Sequence, residues 1–524
     1  MARGAFAVSP VRALAGGAAS AFLLALTLGT LGAVAWRAEG LAGLGASDWA
    51  AIRFTLGQAL VSAALSVLLA VPVARALARR RFPWRSLVVA LLGAPFILPV
   101  IVAVFGLLAV FGRAGLLNQA GAALGLPELA IYGPQGVILA HVFFNMPLAT
   151  RFLLQGWLAI PAEQFRLAAS LGFTPGATAR HLEWPMLRAV VPGAFLAIFL
   201  ICLTSFAVAL AVGGGPRATT IELRIYELFR FDFALGDAAL LGLVQVAVCA
   251  VAALVAGLVT VPKVAMAGMD GVAARWDARG AWLRAQDVVV IGLACAFLLV
   301  PLGIVALRGA PFVAALPASV WQAAGASLVV ALASMLLALV LSLSLALWVA
   351  RGGRAARIGG DVISGLALTA SPLVMGTGLF ILLFGWTSPQ ALALPVTAVI
   401  NAAITVPFTL RVLAPAVAEI EEAYGKLAAS LGMTGWTFLR RVILPRLRRP
   451  LGFSAGLAAA LSMGDLGVIA LFSAPETETL PLAMYRLMAA YRTDLAAGAG
   501  LVLVTLSFGL FYAFDRGGRA DADA

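Results

Sequence analysis

Few side chains in this sequence are of a kind that does chemistry, and their spacing excludes most reactions. The two lysines, Lys263 and Lys426, are followed by Val264 and Leu427, so neither completes the Gly-x-x-x-x-Gly-Lys-Ser/Thr loop that holds nucleotide phosphates. The Gly213-Gly214-Gly215 cluster continues into Pro216 and Arg217 and fails the same test. His141 and His181 have no second histidine or cysteine near them, and Cys202, Cys249 and Cys295 all fall in apolar runs, where they read as packing residues. No catalytic residue, metal site or resident cofactor is expected. Asp465 is the one carboxylate well inside a predicted span, where an ionisable group costs several kcal/mol to bury and by default marks a functional position. A cationic ligand could be met by Asp465 or by an aromatic face such as Phe206, its counterpart at an offset near 259; the competing reading is a structural or gating hydrogen bond in an acidic-x-Gly turn. His141 and Asn145, one turn apart, could line a pore or bond to neighbouring helices. Pro95, Pro99 and Pro372 interrupt apolar stretches, as the broken helices of transporters do.

A second set of residues occurs twice. The run Leu167-Ala-Ala-Ser-Leu-Gly172 recurs unchanged as Leu427-Ala-Ala-Ser-Leu-Gly432, an offset of 260. Both copies lie in polar stretches, 159–188 and 415–450. Each reads as a short helix, a glycine stop, a second short helix and a proline: Pro161 to Leu171, Gly172, roughly Pro175 to Leu182, then Pro185, with Gly432 and Pro445 repeating the punctuation. Glycine is the usual left-handed cap, and proline is tolerated in a first helical turn because its missing donor would be unpaired there anyway. Ala168, Ala169 and Ser170, and Ala428, Ala429 and Ser430, are small enough to let another surface approach closely, with Glu163, Arg166, Glu422 and Lys426 as the charges beside them. This is a docking shape. A helix lying on lipid headgroups is the alternative, but such a helix has no need for the same six residues twice.

These residues must be carried by membrane helices. The 524 residues are 63% hydrophobic and 11% charged, with a mean hydropathy of +1.04, far from the composition of a soluble domain. At about 20 apolar residues per crossing, twelve spans are expected, near 13–36, 54–78, 86–112, 135–158, 189–213, 237–261, 287–307, 321–350, 361–385, 391–414, 451–472 and 494–514. The first span follows Arg3 and Arg12 and is expected to be retained rather than cleaved, because Trp36 and Arg37 stand where a small-residue cleavage site would be. The net charge of +13 belongs to the loops and argues for orientation in the membrane, not for nucleic acid: with a cytoplasmic N-terminus, 27 of the 36 basic residues fall on the inside. Both termini are then cytoplasmic.

The repeat extends beyond the two loops. Pro147 and Arg151 meet Pro407 and Arg411 at the same offset of 260, and nearby offsets pair Pro99 with Pro372 and Tyr226 with Tyr485. Six spans have been duplicated, and because six is even the copies insert with the same orientation. The expected organisation is all-α and polytopic, with a first half at 1–262, a second at 263–524 and a cytoplasmic linker from Lys263 to Gln286. Glu222, Glu227 and Asp232 are expected on the outer face, either solvated or available to an extracytoplasmic partner.

With these motifs in place, the sequence resembles the integral membrane permeases of binding-protein-dependent ABC importers. Their loop signature, Glu-Ala-Ala, three residues, Gly, nine residues, then Ile-x-Leu-Pro, is approached by Gly172 with Leu182, Trp184 and Pro185, and by Gly432 with Val442, Leu444 and Pro445. The glutamate position is Arg166 and Lys426, which departs from the pattern. Within the family the stretches Thr204 to Phe233 and Ser462 to Leu501 look like those of the fused thiamine permeases, while fused iron(III) permeases share the two-loop layout. The resemblance implies that both loops are coupling helices seated in two copies of a separate ATPase subunit, which binds the ATP and Mg. It also implies a periplasmic binding protein as supplier and a bacterial inner-membrane location. An ion-coupled secondary transporter is the more distant alternative, and would need more intramembrane acids than Asp465.

Overall fold

The computed structural model describes residues 10–38, 43–128, 130–213, 215–258, 275–276, 280–384, 386, 388–433, 435–472 and 477–520. Regular structure among them is helical, as it must be where hydrocarbon leaves backbone donors no water to bond. The first repeat carries α1 (Pro10–Arg37), α2 (Ala46–Arg79), α3 (Arg85–Leu91), α4 (Val100–Phe111), α5 (Leu116–Ala123), α6 (Pro134–Leu158), α7 (Ala162–Ser170), α8 (Pro175–Thr178), α9 (Trp184–Leu203), α10 (Ala207–Val212), α11 (Ile221–Arg230) and α12 (Leu235–Leu258). The second carries α13 (Ala281–Gly309), α14 (Ala318–Arg351), α15 (Gly353–Thr369), α16 (Pro372–Leu383), α17 (Ala393–Ser430), α18 (Gly435–Phe438), α19 (Leu444–Arg446), α20 (Arg448–Met463), α21 (Gly467–Phe472), α22 (Leu480–Ala489) and α23 (Thr493–Ala520). Among the described residues eleven stretches are long and apolar enough to cross a membrane, and a twelfth if α15 and α16, bent by 84°, form one span. Most of the linker, 263–274 and 277–279, lies outside the described residues, as do Arg3, Gly214 and the end of the sixth span.

Four of the twelve expected spans are not single helices. The stretch 86–112 is divided between α3 and α4 by a 3-10 turn at Ala94–Phe96, with Pro99 at the cap of α4. The stretch 361–385 divides before Pro372, where Ser371 Oγ accepts from the amides of Leu373 and Val374 at 3.2 and 3.3 Å. The stretches 189–213 and 451–472 break at 204–206 and 464–466. A hydropathy average over about 20 residues does not resolve these breaks, because each contains only a few polar or proline residues within a long apolar run.

The expected loop at 415–450 also needs correction. The helix α17 runs 38 residues through Pro407 and Pro415 to Ser430, so the tenth span and the repeated run are one rod. In the first repeat Pro161 caps α7 and the chain breaks after α6, whereas the residue in register in the second repeat is Glu421, which continues the helix.

The first helix of each repeat packs on the other repeat: α1 lies against α12, α14 and α16, while α13 lies against α2, α4 and α23. Two glycines at an offset of 272 make this exchange possible. A Cβ at Gly106 would stand 2.8 Å from Pro301 O of α13, and one at Gly378 would stand 2.4 Å from Thr30 O of α1. Small residues that let backbones meet are the usual device for helix association in lipid. Valine at either position is expected to lower stability by about 1–3 kcal/mol, read as a drop in the thermal unfolding midpoint of detergent-purified protein. At its N-terminal end α13 is tied to α2 by buried Asp287, which bonds Arg79 at 2.9 Å and Arg80 at 2.6 Å.

Candidate coupling elbows and the path between the repeats

The two repeated runs form the same elbow. At Gly172 and Gly432 φ is +68° in both, the amides of Gly172 and Gly432 each donate to residue 169 or 429 at 3.1 Å, and Phe173 and Met433 close back on Ala168 O and Ala428 O at 2.9 and 2.8 Å. A Cβ at either glycine would meet nothing within 4 Å, so the backbone conformation, not lack of room, demands glycine there. Ala168 and Ala428 are buried against their own chain, which corrects their assignment to the docking patch, whereas Ala169, Ser170, Ala429 and Ser430 are exposed. The exposed face also presents Leu167, Leu171, Leu427 and Leu431, members of the repeated run that stand outside the expected docking patch. Their signal was membership of the repeated run. Glu163 and Arg166 pair with each other at 2.6 Å on the surface, and Glu422 and Lys426 are exposed.

Beyond each glycine the expected second helix is only four residues in α-form, α8 and α18, and continues as a wider π turn, Ala179–Glu183 and Leu439–Ile443, into α9 and α19. Pro185 and Pro445 stand in the first turns after them. Proline cannot donate to the residue four back, and the widened turn absorbs that missing bond. Each elbow is thereby fused to the following helix rather than hung from it.

Charges brace the elbows differently. Buried Glu183 accepts from Arg75 at 2.7 Å and from Arg275 at 2.9 Å, and the Arg275 guanidinium stacks 4.5 Å over the Phe165 ring of α7. Arg275 belongs to the stretch expected as the linker between repeats, and this one residue braces the first elbow. In the second repeat Glu183 is replaced in register by buried Ile443, and Arg351 instead reaches Glu421 at 2.7 Å and Phe438 at 5.6 Å.

Towards the other end the broken spans meet. Asp465 lies in the break between α20 and α21 rather than within a helix; its Oδ1 accepts from Gly467 N at 3.2 Å and it is bonded by Asn401, while its Oδ2 is buried without a partner. The Phe206 ring, at the matching break before α10, lies 3.7 Å from the position a Cβ would take on Gly467 and edge-on to Tyr226 at 5.2 Å. Leu373, next to Pro372, touches the same position at 4.0 Å. Pro99 and Gly464 come within 3.1 Å by the same measure and help enclose a cavity of about 210 Å³ whose lining includes Asn145 and His141. Of the predicted path residues, Pro99 and Asn145 line this cavity, whereas Asp465 and Phe206 stand together beside Gly467, where Pro372 is represented only by its neighbour Leu373.

Half-buried Asp465 is also not the only carboxylate taken from water: Asp48, Glu183, Glu222 and Asp287 are buried outright. Glu222, expected on the outer face, is instead covered, 3.4 Å from Gln245 Nε2 and hydrogen-bonded to Ser371 of the other repeat. Glu227 and Asp232 pair with Arg224 at 3.5 and 3.8 Å. Burial pushes the Glu222 carboxyl up to about 7, with the Ser371 bond opposing. A carboxyl raised in the fold binds its proton more tightly there than in the unfolded chain, so its contribution is full below about 4.5 and lost as pH rises through about 7. Glu222→Gln is expected to flatten the thermal stability profile across that window.

Two six-helix repeats that exchange their first helices, present matched elbows and meet through broken spans define a membrane transport permease. Residues 338–516 match the family described as binding-protein-dependent transport system inner membrane component. The thiamine transport system permease protein ThiP of Brucella abortus (strain 2308) is 38% identical over 100% of this chain and 98% of its own length, and that of Escherichia coli (strain K12) is 40% identical over 89% of each. The protein of the same name from Haemophilus influenzae is 33% identical over 90% of this chain and 89% of its own. The chain belongs to this family of thiamine transport system permease proteins, multi-pass components of the inner membrane.

Proposed function

We propose that the chain is the permease subunit of an ATP-driven importer that carries thiamine and its phosphates across the inner membrane. A periplasmic binding protein delivers the substrate, and two copies of a cytoplasmic ATPase subunit, which bind the ATP and Mg, seat one on each elbow. The observation that supports this best is the pair of matched elbows around Gly172 and Gly432, each with exposed leucines and each followed by a π turn, which runs directly into the spanning helix α9 in the first repeat and through the short α19 to α20 in the second. Closure of the ATPase pair moves both elbows together, and the fused helices carry that movement to the broken spans. Because α1 and α13 are exchanged, the bodies that rock are α2 to α10 with α13, and α14 to α23 with α1. Both termini are cytoplasmic in this reading, as the distribution of 27 of 36 basic residues favours.

The test is reconstitution in proteoliposomes with the ATPase and binding protein. Thiamine uptake that requires ATP and both partners is expected. Uptake of iron(III) instead would move the substrate to the other fused permeases, and uptake driven by an ion gradient alone would remove the ATPase from the account. Within this system Asp465→Asn is expected to lower thiamine uptake about tenfold or more, the scale of one charged hydrogen bond, while ATPase stimulation by loaded binding protein persists. Loss of both activities together would make Asp465 a structural turn residue.

A further inference from the structure

The cavity at the Pro99–Gly464 contact is lined by both repeats and is almost entirely apolar; His141, Asn145 and Ser205 are its hydrogen-bonding side chains. His141 is 3% exposed, its Nδ1 lies 3.5 Å from Ser62 Oγ, and its Nε2 is buried with no partner. Orphaned buried polar atoms are uncommon in native proteins and each calls for a reason. The architecture of the repeat does not supply one. The residue in register in the second repeat is Asn401, which is satisfied by Ser462 Oγ at 3.1 Å and by Asp465. Asn145 is held one turn from His141 by bonds from its amide nitrogen to His141 O at 2.9 Å and Cys202 Sγ at 3.4 Å, which leaves its oxygen as the remaining acceptor.

No charged side chain lines this cavity, so it has nothing to offer an ion, and at about 210 Å³ it falls below the ~300–1,000 Å³ of pockets that bury a drug-sized ligand. One uncharged aromatic ring with a hydrogen-bonding edge suits it. We infer that the cavity is a subsite for the neutral aminopyrimidine ring of the transported vitamin, with His141 Nε2 bonded to its amino-bearing edge; this rests on the thiamine reading above. That edge carries an N–H donor beside a ring-nitrogen acceptor and so satisfies Nε2 in either tautomer. When Nδ1 donates to Ser62, Nε2 accepts from the amine; when Ser62 donates to Nδ1, the Nε2 hydrogen goes to the ring nitrogen. The cationic thiazolium ring finds no counter-charge in the cavity and is left on the side of Asp465, the residue after Gly464.

The experiment compares thiamine with its benzylthiazolium analogue, in which a phenyl ring with neither donor nor acceptor replaces the aminopyrimidine, in the reconstituted complex with the same wild-type binding protein throughout. Selection upstream of the permease then cancels from the change in the kcat/KM ratio between variants. His141→Phe is expected to lower kcat/KM for thiamine about tenfold or more while that for the benzylthiazolium analogue stays within about twofold, so the ratio collapses; His141→Gln, which keeps a polar end, is expected to retain part of it. Nucleotide-stimulated ATPase activity checks that each variant is folded. Equal losses for both substrates, or an unchanged ratio in both variants, would overturn the subsite. A wild-type complex that carries no thiamine at all would overturn the reading of function beneath it.

Discussion

Valine at both Gly172 and Gly432 is expected to abolish ATP-driven uptake by a chain that still inserts and folds. Both glycines hold φ at +68°, which lets Phe173 and Met433 close the elbow by bonds to Ala168 O and Ala428 O. A β-branched residue there carries about 1–3 kcal/mol of backbone strain, and since no neighbour crowds the position, the elbow relieves it by opening. Opening rotates α7, or the end of α17, away from the π turn that follows, and displaces the exposed leucines from the seat proposed for them on the ATPase. The spanning helices are remote from this strain, so the amount of protein in the membrane and its unfolding midpoint should change little. Uptake and binding-protein-stimulated ATPase activity should separate, with residual ATP hydrolysis no longer producing transport. Asparagine at the same positions, which tolerates the left-handed region better, should retain partial uptake. Full uptake by the valine double variant would remove the elbows from the mechanism.

The second large effect is expected at Glu183. This carboxylate is shared by Arg75 and Arg275, and Arg275 and Glu183 are both nearly inaccessible. Replacing Glu183 by isoleucine, the residue in register in the second repeat, takes the carboxylate away from the buried Arg275 guanidinium, and breaking a buried pair in this way costs about 3–5 kcal/mol. A sharp fall in the unfolding midpoint and in uptake should follow. Isoleucine itself is not foreign to the site, because Ile443 fills the matching position and is fully buried. Changing Glu183→Ile together with Arg275→Met should therefore recover most of the stability, Arg75 being partly exposed and free to turn to water. A double-mutant cycle gives the coupling between Glu183 and Arg275 directly. Additive losses would mean that the linker arginine does not brace the first elbow.

The elements that sequence reasoning read well share one physical property: their signal is local. A helix stop needs a residue that accepts positive φ, and Gly172 and Gly432 announce that by type; a broken span needs a missing donor, and Pro99 and Pro372 announce that too. Glu222 was misplaced because its segment, rich in Glu, Arg and Tyr, has the composition of a surface loop, and only its packing beneath Ser371 of the other repeat buries it. His141 and Asn145 were legible as polar residues in a span, but not which of their atoms lacks a partner.

By itself the sequence determined the membrane class, the duplication, the positions of the two elbows and the family, because hydropathy, repeated words and turn residues are properties of short segments. Tertiary structure alone decided the exchange of α1 and α13 between repeats, the insertion of Arg275 beside Glu183, and the meeting of Pro99 with Gly464 around the cavity on His141. Each of these joins residues far apart in the chain, through close backbone approach or a shared charge in a dry interior. No pattern along one segment can specify what another segment will place opposite it.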